Sequence, residues 1–141
     1  MTCLIVLPLG CITVLNVVSD ECERTNPNVA EYDLPGTYRG PDGMRITLGR
    51  RVLVKNWPHD LSIGEDDERR FDGRGSWSYD TGTIVPRQEK FGIIELNFSK
   101  GSPTNNIPLD SQELLVGGTP ANPVLFHQTD PDSCPDPVFR Q

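Results

Sequence analysis

Apolar and polar residues alternate in short runs along this chain, and clusters of Gly, Pro, Asn and Asp separate the runs. A period of two turns one face of a strand toward a core and the other toward water. Met44, Ile46 and Leu48 alternate with Arg45 and Thr47, and Val52, Val54 and Trp57 follow Gly49-Arg50-Arg51, which predicts a hairpin. Residues 36–39 predict a short strand, ended by the turn signal Pro41-Asp42-Gly43. Further on, Trp77 and Tyr79 share a face against Ser76 and Ser78. The strongest pattern runs over 91–98, with Ile94, Leu96 and Phe98 set against Glu95 and Asn97. Residues 114–116 and 124–126 flank Gly117-Gly118-Thr119-Pro120 and predict a second hairpin. Residues 58–72 and 103–108 read as loops, and Trp77, Leu96 and Phe98 are expected to share one apolar interior.

Helices have little room. Beyond Asn26 no stretch free of Gly and Pro exceeds eight residues, and the only alanines are Ala30 and Ala121; globular helices average about eleven residues, and alanine forms them best. The chain is therefore expected to be all-β, with seven or so strands in a small antiparallel meander. That meander closes as a barrel or folds as a β-sandwich; closure has the advantage of removing exposed edges. The predicted organisation is a leader over 1–19, a linker over 20–33, a β domain over 34–129, and an irregular Pro/Asp-rich tail over 130–141.

The leader carries no charge before Asp20, and most of it is apolar. It is short for a membrane span, which wants about 20 apolar residues, and reads as a signal or anchor segment. Three fates are open: cleavage after Ser19, retention as a membrane anchor, or lipidation at Cys11, since Leu7-Pro8-Leu9-Gly10-Cys11 resembles a bacterial lipobox. Each implies an extracytoplasmic protein, secreted or anchored at the cell surface. With Cys3 and Cys11 in the leader, Cys22 and Cys134 remain near opposite ends of the rest and are expected to form a disulfide. Such a bridge closes a loop of more than a hundred residues, for which the chain-entropy estimate is about 4–5 kcal/mol.

A length of 141 residues fits one small domain, and 13 glycines with 13 prolines rule out a coiled coil. The formal charge of −7 gives no electrostatic footprint that favours nucleic acid or an anionic membrane surface. Candidate chemistry is sparse. His59 and His127 are the only histidines, and no Gly-x-Ser-x-Gly elbow occurs. His59-Asp60 precedes the acidic run Glu65-Asp66-Asp67-Glu68, a set that could hold a metal. Asp130, Asp132 and Asp136 echo oxygen-rich calcium loops, although prolines intervene. Trp57 and Tyr38 could line a ligand mouth, but aromatics in a small β domain usually fill the core.

Leu34-Pro35-Gly36-Thr37-Tyr38, Met44-Arg45-Ile46-Thr47-Leu48, Gly75-Ser76-Trp77-Ser78-Tyr79 and Ile93-Ile94-Glu95-Leu96-Asn97-Phe98 follow in order. This progression resembles small lipocalin-like β-barrels, most of all uncharacterised exported or lipoprotein-type proteins of high-GC Gram-positive bacteria. The resemblance implies a barrel and export, and it brings no catalytic residues. The expected function is non-enzymatic binding of a small ligand or a protein at the cell envelope, without a cofactor. The alternative is a small envelope enzyme or metal-dependent factor using the loop 59–68.

Overall fold

Eight strands follow one another in the computed structural model, which describes residues 22–61, 69–84, 89–98, 111–128, 130 and 132–141. They are β1 (Gly36–Arg39), β2 (Arg45–Leu48), β3 (Val52–Pro58), β4 (Arg70–Ile84), β5 (Glu89–Phe98), β6 (Gln112–Gly118), β7 (Pro123–Phe126) and β8 (Val138–Arg140). Each pairs antiparallel with the next, and β8 returns to β1, so the meander is a closed barrel and not a sandwich. Among the described residues there is no α-helix; 3-10 turns occupy Glu31–Asp33 and Pro41–Gly43.

The inward positions carry the apolar residues. Tyr38, Ile46, Leu48, Trp57, Ile94, Leu96, Leu114, Leu125 and Phe139 are buried inside. Trp57 stacks on Phe139 with ring centroids 5.0 Å apart, and Phe71 meets Phe98 edge-on at 5.2 Å. These contacts fill the space between the strands, as side chains do in small barrels. The expected strand phase holds: Leu96 is fully buried, while Ser76, Ser78 and Asn97 are exposed. Trp77 and Phe98 lie on the same inner side but are only half-buried, packed at the margin of the core. Glu95, expected in water, is half-buried.

A bulge explains how Val54 and Trp57 both point inward although three positions separate them. The β3–β4 register shifts between these residues, and Asn56 takes a left-handed φ of 50°. Its backbone N–H donates to Asp72 Oδ1 at 2.9 Å, and its side-chain amide donates to the Asp42 carbonyl at 2.6 Å. Asparagine tolerates this region better than most residues, and the inserted position restores the inward phase.

Three expected boundaries need correction. β4 begins at Arg70, so part of the expected loop 58–72 is strand, and Phe71 is buried in the core. The tail is not wholly irregular: β8 lies in it and puts Phe139, fully buried, against Trp57. Three residues are too few to show a periodicity, yet this segment closes the sheet between β7 and β1. Of the expected linker over 20–33, the described residues 22–33 are also part of the domain. Thr25 bridges Gly117, the Asn26 amide donates to the Gly118 carbonyl at 2.8 Å, and Val29 and Leu34 are fully buried. Residues 22–26 thus form a strap across the outside of β6–β8.

The strap answers a need created by the barrel. Leu125 points inward, which turns Val124 and Phe126 outward, yet both are buried. Gly117 lets the strap come close, because a Cβ there would collide with the Arg24 carbonyl oxygen and the Phe126 ring. A disulfide between Cys22 and Cys134, as expected, ties the strap to the β7–β8 connection, with Cα atoms 4.9 Å apart. Arg140 of β8 pairs with Glu23 of the strap.

Candidate functional site

The strand register builds a second outer surface on the other side of the β8–β1 seam. Outward positions on β1 are Thr37 and Arg39, on β2 Arg45 and Thr47, and on β3 Leu53 and Lys55. Arg39 stands directly opposite Arg45, and Arg45 directly opposite Lys55. Across the seam Arg39 also faces Arg140. Four cations therefore lie in one line across four neighbouring strands, each pair about 4.5–5.5 Å apart at Cα. Like charges directly opposite one another destabilise a sheet.

Arg140 has Glu23 as a partner, but the other three cations do not share this arrangement. Among the described residues, no carboxylate lies within ion-pairing distance of Arg39, Arg45 or Lys55. The three side chains line a shallow groove of about 460 Å³ together with Thr37, Thr47, Leu53 and the Asp72 carboxylate. The Thr37 and Thr47 hydroxyls bond to each other at 3.0 Å. One proton makes that bond, so the pair keeps one free donor. Leu53 is 53% exposed, an uncommon position for a large apolar residue in this barrel. A second hollow of about 280 Å³ continues past Arg39, Arg45 and Lys55 toward the Pro41–Gly43 turn.

The sites expected from the sequence fare differently. Cys22 and Cys134 are joined. Cys11 and the rest of the leader lie outside the described residues, as do Glu65, Asp66, Asp67 and Glu68. His59 packs edge-on to Phe71 at 6.4 Å, and its carbonyl accepts a bond from the Gln112 amide at 3.0 Å. The same Gln112 accepts the Trp57 indole N–H at 2.6 Å, so this end of the barrel is a structural polar network. The crevice beside it, between Met44, Leu61, Arg70 and Pro137, holds about 10 Å³, room for about one water. Asp130 spends its carboxylate locally, on the Asp132 N–H at 2.9 Å and the Ser133 hydroxyl at 3.2 Å. No group of three or more metal-ligating side chains occurs among the described residues.

Trp57 and Tyr38 belong to the core, not to a ligand mouth. The Tyr38 hydroxyl donates to the Leu34 carbonyl at 2.7 Å. Burial raises its pKa above the ordinary value, the Gln141 side chain lowers it in part, and the Asp33 carboxylate adds to the rise. Tyr79 is raised for the same leading reason, with Glu31 contributing, and it donates to the Val29 carbonyl at 3.1 Å. Both tyrosines therefore fasten the segment that leads from the strap into β1.

The cationic line escapes a reading of single strands, because each cation sits at an unremarkable polar position. The β2–β3 hairpin was the available signal: its register alone sets Arg45 opposite Lys55. A scan against protein-family models and searches of curated proteins and of solved structures found no match to this chain.

Proposed function

We propose that the chain is an exported, non-enzymatic domain of the cell envelope that meets its partner on the outside of the barrel, at the groove over β1–β3. One observation carries this reading: Arg39, Arg45 and Lys55 stand in register with no ion pair to a carboxylate among the described residues, in a protein of net charge −7. An arrangement that weakens the sheet is expected where a ligand supplies the missing charge. The packed interior supports an outer site over an enclosed one, since Tyr38, Trp57 and Phe139 occupy the space a small ligand would need. Export is supported by the Cys22–Cys134 disulfide, a bond that persists in oxidising compartments, and by the charge-free leader.

The test is a charge reversal, Arg39→Glu with Arg45→Glu and Lys55→Glu, assayed for binding to envelope fractions of the native host. The wild type is expected to bind in low salt, and the triple variant to lose that binding while keeping its thermal midpoint. Equal binding by the two proteins would refute the outer-face reading.

A further inference from the structure

We infer that the groove over β1–β3 holds a linear chain of phosphate groups joined by non-aromatic links; this rests on the outer-face reading above. The cations form a line, not a cluster. Strands lie about 4.8 Å apart, so the backbones carrying Arg39 and Lys55 stand about 10 Å apart, with Arg45 between them. A ligand that carries charges at a similar spacing along its length meets the three cations in order, one after another. The donor set also fits. Each guanidinium offers a planar fork to two phosphate oxygens, Lys55 adds a point charge, and the Thr37–Thr47 pair keeps one hydroxyl proton for another oxygen.

The apolar part of the groove indicates what joins the phosphates. Leu53 is exposed in the groove, and among the described residues no aromatic side chain lines it. Proteins that hold single-stranded nucleic acid combine such a charged track with aromatic platforms for the bases. Here the track is present without the platforms, which favours aliphatic or bare links over nucleobases. A groove on the side of a narrow barrel likewise suits a strand-like ligand better than a flat bilayer.

Medium-chain inorganic polyphosphate is the probe, titrated against the full protein by calorimetry over a range of salt concentrations. Orthophosphate, poly-glutamate, phosphatidylglycerol vesicles and single-stranded DNA form the comparison arms. Polyphosphate is expected to bind with a log–log salt slope of about −2, since each neutralised charge on a single-stranded polyanion contributes roughly −0.7. Orthophosphate at equal phosphate content is expected to bind at least tenfold more weakly. Arg45→Gln should weaken polyphosphate several-fold and flatten the slope by about 0.7, while Arg51→Gln, in the β2–β3 turn, should leave it unchanged. Thermal midpoints of both variants establish that they fold. Vesicles or poly-glutamate binding in place of polyphosphate would overturn the inference yet leave the outer-face reading standing. Single-stranded DNA binding more tightly than polyphosphate would also overturn it. Polyphosphate binding that is indifferent to Arg45→Gln would place the ligand elsewhere. Binding of none of the anions would sink both this inference and the reading beneath it.

Discussion

The two outer faces of this barrel meet at the β8–β1 seam and are finished in opposite ways. Over β7 the outward side chains Val124 and Phe126 are apolar, and the chain itself returns to cover them: both lie buried under the strap, and Arg140 of β8 has Glu23 beside it. Over β1–β3 the outward side chains are cationic, and none of Arg39, Arg45 and Lys55 has such a partner among the described residues. The same line of charge crosses both faces, so its first member is neutralised by the strap, whereas the other three have no ion pair among the described residues. The difference teaches where the fold is complete by itself. The strapped face is part of the core in all but direction, whereas the open face gains nothing for stability from its charges.

Substitutions can break this contrast, and the largest effect belongs to the strapped side. Phe126→Ala should cost about 3–5 kcal/mol, as large-to-small changes at buried positions do. Leu53→Ala, at an outward apolar position on the open face, should stay within about 0.5 kcal/mol. Denaturant titration of the pair measures the gap, and equal costs would mean that the strap does not bury Phe126.

Next in size is the staple. Cys22→Ser with Cys134→Ser should lower stability by about 2–5 kcal/mol. The far-ultraviolet circular dichroism should keep its β character, because the barrel pairings do not depend on the strap. A variant that melts with the wild type would detach the strap from the stability of the domain.

The smallest effect has the opposite sign. Arg45→Gln removes like charge from both sides of β2 and should leave stability unchanged or raise it by about 0.2–1 kcal/mol. Raising the ionic strength should shrink that gain, since exposed charges are screened. A loss of stability would show that Arg45 has a structural partner and would weaken the case for an open anion site.

Much of this architecture is legible in the sequence. Alternation placed Ile46, Leu48, Val52, Val54, Ile94 and Leu96 correctly inward, because a period-two pattern reports local geometry that the strand itself enforces. The two hairpins were equally local, and the pairing of Cys22 with Cys134 followed from their number and position. Non-local features were hidden. The bulge at Asn56, the half-burial of Trp77 and the role of β8 depend on neighbours far away in sequence. Residues 22–26 read as part of a linker because their purpose, covering Val124 and Phe126, exists only once those side chains have been turned outward.

The sequence by itself determined the class of fold, the phase of most strands and the disulfide. These follow from residue type and short spacing, which act within a few positions of one another. The tertiary structure alone decided which strands are neighbours, and with that everything that depends on register. Arg39 and Arg140 are a hundred positions apart and stand face to face only because the barrel closes. Charge read along the chain averages to an acidic protein, but charge read across the strands concentrates into a cationic line, since electrostatic interaction follows distance in space and not order in sequence.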